Sequence, residues 1–203
     1  PQKLLADLYA FLGAVSKPIA VRSSSLLGDS HYQPFAGVYS TYMVPFDANS
    51  KTHTLQMITE AIKAVYASVF YRDSKTYMAA TKNLIDEEKM AIVLQEICGS
   101  AYENRYYPSF SGVARSLNYY PIGNEKPEDG IANIAMGLGK YIVDGGKTLR
   151  FSPAYPNNVL QTSTLEFMLS ETQTFFNALD LNMVQFVPQV DDGFNLLRIN
   201  VQD

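Results

Sequence analysis

The sequence predicts an α+β domain, and three observations support this fold class. Apolar residues recur at helical spacing in some segments, whereas short runs rich in Val, Ile and Tyr have the composition of strands. These segments do not alternate strictly, so a mixed or antiparallel sheet with helices packed on it is favoured over a doubly wound parallel sheet. The 203 residues, 47% of them hydrophobic, are enough for one domain, or two lobes of one, with a sizeable core.

The first half of the chain contains both kinds of pattern. Leu4, Leu8 and Leu12 share one helical face, and Pro18 prevents this helix from continuing. The apolar stripe over 55–69 is the most regular periodic pattern in the chain and predicts a long amphipathic helix. The predicted segments are helices over 4–15, 55–69 and 74–83, and strands over 19–22, 38–44 and 90–98.

The strand over 90–98 has the composition of a buried central strand. Its residues are apolar on both alternating faces until Gln95 and Glu96 interrupt them. We expect its sheet neighbours to be strands over 110–117 and 131–136, which a loop over 119–129 joins as a hairpin. Further strands are predicted over 148–151, 174–180 and 196–201.

Charge and residue usage exclude several classes of protein. The formal net charge of -4, without a basic stripe, argues against binding to nucleic acid or to an anionic membrane. Cys98 is the single cysteine of the sequence, which excludes a disulfide framework. His31 and His53 lie far from it in sequence, which excludes a zinc site with close ligand spacing. No apolar run could span a bilayer, and no signal-peptide pattern is present. We therefore expect a cytoplasmic protein.

Two glycine-containing runs invite a phosphate-binding interpretation that their neighbours weaken. In the run 137–140 (Gly-Leu-Gly-Lys), Ile134 replaces the first glycine of a Walker A loop, and Tyr141 replaces the Ser or Thr after the lysine. The third glycine of a dinucleotide-binding motif is also missing, because Ile142 occupies its position. Taken alone, this run is better interpreted as a turn between a strand and a helix.

The run 145–150 (Gly-Gly-Lys-Thr-Leu-Arg) is similar to the Gly-Gly-x-Thr-x-His run around a phosphocarrier histidine. Arg150 stands at the histidine position, and a guanidinium cannot carry the covalent phosphoryl group. Phosphoryl transfer through a phosphohistidine is therefore excluded at this position.

Polar groups follow two of the predicted strands. Arg22 closes an apolar strand and precedes the serines at 23–25, which is phosphate-binding chemistry; an arginine solvated at a strand end is the alternative. The run 95–98 (Gln-Glu-Ile-Cys) could present an amide, a carboxylate and backbone groups to an adenine or a ribose, or could simply meet solvent. The acids Glu125, Glu128 and Asp129 either approach a metal or form solvated surface.

Read in order, these segments resemble one family. Residues 18–25 (Pro-Ile-Ala-Val-Arg-Ser-Ser-Ser), then 35–37 (Phe-Ala-Gly) and Thr41, resemble the Val-Arg-Ser-Ser and Phe-Ala-Gly-x-x-x-Thr signatures of phosphoenolpyruvate synthase and pyruvate phosphate dikinase. The strand with Gln95, the run 111–113 (Ser-Gly-Val) and the Gly-Leu-Gly of 137–139 resemble later nucleotide-binding segments of that family. Each piece is weak, but their order is specific.

The resemblance implies an ATP-grasp-like nucleotide-binding domain, of which 1–203 form a truncated portion. Residues 1–150 match best, and 151–203 supply loosely matched C-terminal strands. In this family ATP and Mg²⁺ are gripped between two lobes, and phosphoryl groups pass to a histidine on a carrier domain and then to pyruvate in a barrel domain. We expect these partner domains in the same parent chain, and we expect the isolated fragment to be inactive. An oligomeric parent protein is compatible with the resemblance.

The resemblance also implies roles for individual residues. Arg22 would contact the transferring phosphates, with Ser23 beside it, and Gly137 and Gly139 would allow close backbone approach. The remaining nucleotide-binding residues that it implies are Gln95, Glu96, Ile97, Cys98 and Lys140.

One departure from the family pattern leaves two functions open. Lys140 stands where the family has a glutamate, a candidate magnesium ligand, and a lysine cannot coordinate a cation. Asp144, one helical turn later, could restore a metal ligand. The first hypothesis is the ATP-binding part of a dikinase-type phosphotransferase that makes phosphoenolpyruvate from pyruvate and ATP, and the second is a non-catalytic nucleotide-sensing or interaction domain. The sequence does not separate the first from a related dikinase with another acceptor, such as water or glucan.

Overall fold

The computed structural model describes residues 2–25, 39–81, 89–190 and 192–201. These residues fold into helices and antiparallel sheets, which confirms the α+β prediction. The chain divides into two compact units. The first unit comprises Pro1–Cys98, Glu103–Arg105 and Leu179–Leu197, and the second comprises Gly99–Tyr102, Tyr106–Ala178 and Arg198–Asp203.

The helices and strands follow one another without strict alternation. In chain order they are α1 (Gln2–Phe11), β1 (Ile19–Ser25), β2 (Thr41–Val44), α2 (Lys51–Ser68), α3 (Arg72–Thr81), β3 (Met90–Glu96), β4 (Ser100–Tyr102), β5 (Arg105–Tyr107), β6 (Ser111–Arg115), β7 (Ile131–Ala135), α4 (Lys140–Val143), β8 (Leu149–Phe151), α5 (Leu165–Glu171), β9 (Phe175–Asp180) and β10 (Leu196–Asn200). Short 3₁₀ helices cover Pro127–Asp129, Leu160–Thr162 and Asp192–Asn195.

The first unit is built on an antiparallel sheet in the order β2-β1-β3. Its side chains alternate between a buried and an open face, as the two-residue period of a strand requires. Ile19 and Val21 on β1 and Tyr42 and Val44 on β2 lie on the buried face and are fully covered. This face packs against α2, which contributes Met57, Ile58, Ala61 and Val65 to the core.

The start of α2 is determined by local hydrogen bonds. Ser50 is the N-cap, and its side-chain oxygen accepts a hydrogen bond from the His53 backbone N–H at 3.2 Å. Asp47 Oδ1 accepts hydrogen bonds from the backbone N–H groups of Asn49 and Ser50. The helix therefore begins at Lys51, four residues before the apolar stripe predicted from the sequence.

The second unit contains a sheet in the order β6-β7-β8, with antiparallel pairing throughout. The hairpin predicted between 110–117 and 131–136 is confirmed, since β6 pairs with β7 from Ser111↔Ala135 to Arg115↔Ile131. A further four-stranded sheet has the order β10-β9-β5-β4, and most of its residues belong to this unit.

The position predicted for the strand over 90–98 is wrong. Among the strands that the structure describes, β3 is an edge strand of the first sheet and pairs with β1, while β6 and β7 belong to another sheet. Its residues are apolar on both faces, but only Met90, Ile92 and Leu94 pack on the core; Val93 lies on the open face and is 41% exposed. A central strand and an edge strand with apolar residues on its open face thus look alike in sequence.

The hairpin of β4 and β5 was not predicted, because each strand has only three residues; it turns at Glu103, whose φ is 55°. The Phe-Ala-Gly of 35–37 and the end of the helix predicted over 74–83 lie outside the described residues.

Among the described residues, no helix is long and apolar enough to cross a membrane.

Candidate functional site

Three residues from the predicted motifs lie together on the open face of the first sheet. Arg22 on β1 is directly opposite Thr41 on β2 and Val93 on β3. Gln95 is two residues beyond Val93 and therefore lies on the same face. Diagonal neighbours of this kind are about 7–8 Å apart, a distance that long side chains can bridge.

The polar groups of this face are available to a ligand. Arg22 and Gln95 are exposed and Thr41 is half-buried. None of the three side chains forms a hydrogen bond or an ion pair with another of the described residues. The face thus presents a guanidinium, a hydroxyl and an amide over a sheet whose other side is packed.

Ser23 and Glu96 lie on the opposite side of the same sheet. Ser23 is opposite Ile92, and Glu96 is opposite Ile19, both on the core face. The Glu96 carboxylate accepts hydrogen bonds from the backbone N–H groups of Ser16 at 3.0 Å and Lys17 at 3.2 Å. In this structure Glu96 therefore stabilises the approach of the chain to β1.

The two residues after β3 differ in their contacts. The backbone N–H of Ile97 donates to the Pro18 carbonyl at 2.8 Å, so the pairing with β1 continues past the assigned end of the strand. Cys98 is exposed and its thiol is free. Their backbone and side chains border the strand that carries Gln95.

The Gly137–Gly139 turn belongs to the second unit. Gly137 has a φ of 82°, and an added Cβ would lie 2.7 Å from the Phe176 ring and 2.8 Å from the Asn177 carbonyl oxygen. The Leu138 N–H donates to that carbonyl at 2.9 Å, and the Ser111 hydroxyl donates to the Gly137 carbonyl at 2.7 Å. Internal packing therefore requires glycine at 137.

Gly139 is different, because an added Cβ would meet no close contact. The nearest atom to an added Cβ is the Ser111 Cβ at 3.8 Å, which is ordinary van der Waals contact. Of the two glycines proposed for close backbone approach, only Gly139 has room beside it for another molecule.

Lys140 and Asp144 form an ion pair across one turn. The Lys140 ammonium lies 3.0 Å from Asp144 Oδ2 and donates to Oδ1 at 3.2 Å. A cation at Asp144 would have to displace this lysine. Within the described parts of the chain, no three His, Cys, Asp or Glu side chains are grouped so that they could hold a metal ion. The residues present therefore do not fit a magnesium site without rearrangement.

The acids of the loop before β7 are engaged in its own turns. Glu125 Oε2 accepts from Asn118 Nδ2 and from the Ile122 N–H, both at 3.0 Å. Asp129 Oδ2 accepts from the Lys126 N–H at 2.7 Å. Of the two interpretations left open for these acids, these bonds favour a structural one.

Thr41 is a further candidate residue of this site, which the sequence alone did not single out. It was part of the family signature, but it received no role because its position relative to Arg22 depends on strand register. The pairing Arg22↔Thr41 places the two motifs side by side.

The fold and a match to a known sequence family together identify the class of this protein. Its first unit packs α2 on one face of an antiparallel sheet and presents Arg22, Thr41 and Gln95 on the other, as expected for an ATP-grasp-like domain. A sequence model of the family described as "Pyruvate phosphate dikinase, AMP/ATP-binding domain" matches residues 2–174. The chain belongs to this family.

Two curated relatives are consistent with this assignment. Over 132 residues, 65% of this chain, it is 32% identical to "Uncharacterized phosphotransferase YvkC" of Bacillus subtilis (strain 168). Over 153 residues, 72% of this chain, it is 31% identical to "Phosphoenolpyruvate synthase" of Aeropyrum pernix. The matched regions cover 14% and 16% of the length of these relatives.

Proposed function

We propose that this chain is the ATP-binding part of a phosphotransferase of the phosphoenolpyruvate synthase and pyruvate phosphate dikinase type. In the parent protein, phosphoryl groups of ATP would pass to a histidine of a carrier domain and then to pyruvate in a barrel domain. The observation that carries the proposal is the shared open face of Arg22, Thr41 and Gln95. Membership of an AMP/ATP-binding family supports the choice of nucleotide.

Arg22 has the chemistry that triphosphate recognition needs. A guanidinium stays charged and can donate two parallel hydrogen bonds to phosphate oxygens. Its position on a strand with a packed reverse side limits its backbone motion, so it stabilises charge that develops on a transferring phosphoryl group. Gln95 and Thr41 add an amide and a hydroxyl for the sugar or the base.

The test is calorimetric titration of the chain with ATP, comparing Arg22→Gln with Arg72→Gln. Both arginines are exposed residues of the first unit, so the two variants lose the same charge, but only Arg22 lies on the open sheet face. We expect Arg22→Gln to weaken ATP binding about 10-fold or more, since hydrogen bonds to charged groups contribute ~1.5–3 kcal/mol. Equal affinity of the two variants would remove Arg22 from the site.

A non-catalytic nucleotide-sensing domain is the second candidate, and the Lys140–Asp144 ion pair favours it. This pair places a cation where the family has an acid, and magnesium binding at Asp144 requires the pair to open. A sensor of this kind should bind ATP equally well with magnesium or with a chelator. A phosphotransferase should require magnesium and should transfer labelled phosphate from ATP to a histidine of the parent polypeptide.

The Lys140→Glu variant separates the two candidates further. It restores the acid of the family pattern beside Asp144 and removes the cation. If the chain is a sensor that lost a metal ligand, Lys140→Glu should make ATP binding magnesium-dependent. Unchanged metal dependence would mean that Lys140 does not replace a functional ligand.

A further inference from the structure

The second unit contains a cavity whose walls combine opposite charges with apolar rings. Its volume is about 200 Å³, and none of its wall residues belongs to the Gly137–Gly139 turn or to the open sheet face of the first unit. One cation, Arg150, and two carboxylates, Glu125 and Glu171, line it. The rings on its walls are those of Tyr120, Phe151 and Phe167.

Arg150 is held in place, but only some of its hydrogen-bond donors have partners within the described part of the protein. Its Nη2 donates to Asn118 Oδ1 at 3.3 Å, and Asn118 is in turn held by Glu125, to which its Nδ2 donates at 3.0 Å. Asn118 is buried, so this chain of bonds positions the half-buried guanidinium. Its other N–H groups have no partner among the residues that the structure describes, and a guanidinium has five donors in all.

The cavity also has unused acceptors. Gln161 Oε1 is buried and has no hydrogen-bond partner in the described chain. Its orientation is determined, because Gln161 Nε2 donates to the Thr148 carbonyl at 3.0 Å. The half-buried Glu171 carboxylate likewise has no hydrogen bond or ion pair with the described residues. Buried polar groups in folded proteins are normally paired, so the unpaired Gln161 acceptor, in the same cavity as a guanidinium with unused donors, points to a ligand.

We propose that this cavity binds an apolar α-amino acid. The carboxylate of the ligand would accept hydrogen bonds from Arg150, its ammonium would donate to Gln161 Oε1 and the Glu171 carboxylate, and its side chain would contact the aromatic rings. A zwitterion satisfies both kinds of group at once. A plain anion such as phosphate would meet two carboxylates, and a plain cation would meet the guanidinium.

Size agrees with a ligand of this class. Drug-sized ligands occupy pockets of about 300–1,000 Å³, so a cavity of about 200 Å³ suits a smaller molecule. An adjoining cavity of about 380 Å³ shares Gln161 and Glu171 as wall residues and gives room for a larger side chain.

The first test uses the unchanged chain and varies the probe. Calorimetric titration with L-phenylalanine and L-leucine should give saturable binding, whereas N-acetyl-L-phenylalanine and L-phenylalanine methyl ester should each bind about 10-fold more weakly or worse. Binding of neither amino acid at millimolar concentration would overturn the proposal. Equal binding of the acetylated or esterified probe would overturn it as well, since one of the two charges would then be irrelevant.

The second test varies the protein and keeps L-phenylalanine as the probe. Arg150→Met should weaken its binding about 10-fold or more, whereas Arg198→Met should not. Arg198 is the matched control because it belongs to the same unit but lies over the Phe175 ring, at 3.5 Å, and does not line the cavity. Gln161→Met, which removes the unpaired acceptor, should weaken binding too and serves if Arg150→Met does not fold.

ATP separates this site from the proposed nucleotide site. ATP affinity should be unchanged in Arg150→Met, and L-phenylalanine should bind equally well to Arg22→Gln. Competition between ATP and L-phenylalanine would overturn the assignment of a separate site, even if the proposed function is correct.

Discussion

His53 lies between two groups that can only accept hydrogen bonds. Its Nδ1 is 3.1 Å from Asp47 Oδ2, and its Nε2 is 2.8 Å from the Val184 carbonyl oxygen. Both bonds exist together only when both ring nitrogens carry hydrogen, which is the protonated imidazole. Accordingly, the bond to Val184 and then the bond to Asp47 raise the pKa of His53 above 6.5. In turn, the hydrogen bond with His53 lowers the pKa of Asp47 below 3.8.

These two pKa shifts predict how stability depends on pH. The contribution of His53 is fully present below its ordinary pKa of 6.5 and is lost as pH rises through the raised value. The contribution of Asp47 is present above 3.8 and is lost as pH falls through the lowered value. The contribution of the Asp47–His53 pair to the free energy of unfolding should therefore be largest between pH 3.8 and 6.5.

Urea unfolding at a series of pH values measures this dependence. In the His53→Gln variant the loss of stability above pH 6.5 should be smaller than in the unchanged chain. His31→Gln, which removes the other histidine of the sequence, is the control. A His53→Gln curve that runs parallel to the original would show that another group titrates in this range.

At the scale of single elements, two glycines on either side of α4 separate the effect of backbone conformation on stability from the effect of close packing. Gly137 and Gly145 have nearly the same φ, 82° and 78°, but only Gly137 has atoms within 3 Å of an added Cβ. Gly145→Ala should cost about 1–2 kcal/mol of unfolding free energy from backbone strain alone. Gly137→Ala should cost about 1–3 kcal/mol more, because Phe176 and the Asn177 carbonyl must move.

Chemical denaturation of both variants measures the difference between them. Equal losses would mean that β9 moves away from the turn without cost. Gly139→Ala should leave stability nearly unchanged, because its Cβ would be in ordinary contact only, at 3.8 Å. A loss of ATP affinity in this variant would support close approach of the nucleotide at Gly139.

At the scale of the molecule, a segment remote in sequence completes the core of the first unit. Phe186 is fully buried, and its ring contacts the Tyr42 ring edge-on at 5.2 Å between centroids. The Tyr42 hydroxyl donates to the Gln189 carbonyl at 2.6 Å. Residues 179–197 therefore belong to the fold of the first unit, although the resemblance to the family was loose there.

Phe186→Ala tests how much this segment contributes to the free energy of unfolding. We expect it to lower the free energy of unfolding by about 3–5 kcal/mol, the usual cost of truncating a buried phenylalanine. Phe194→Ala, in the same segment but at a side chain that is 69% exposed, should change it by less than about 0.5 kcal/mol. Similar effects of the two substitutions would show that Phe186 is not part of the core in solution.

Much of the fold and part of the site could be predicted from sequence. The helical stripe over 55–69 and the strand patterns around Val21 and Val93 arise from local periodicity, so their types were predictable even though their ends were displaced. Arg22 and Gln95 were predictable because both follow apolar runs inside family signatures. Thr41 and the Lys140–Asp144 ion pair were not assigned, because a partner across a sheet or a turn depends on register and side-chain geometry.

By itself, the sequence determined the α+β class, the family and the polar residues of its motifs, since each of these depends on residue types at short spacing. Tertiary structure alone decided that β3 is an edge strand, that Arg22, Thr41 and Gln95 share an open face, and that Phe186 closes the first core. The physical reason is that strand pairing and core packing join residues far apart in the chain. Their energies depend on register and shape complementarity, which local patterns do not contain.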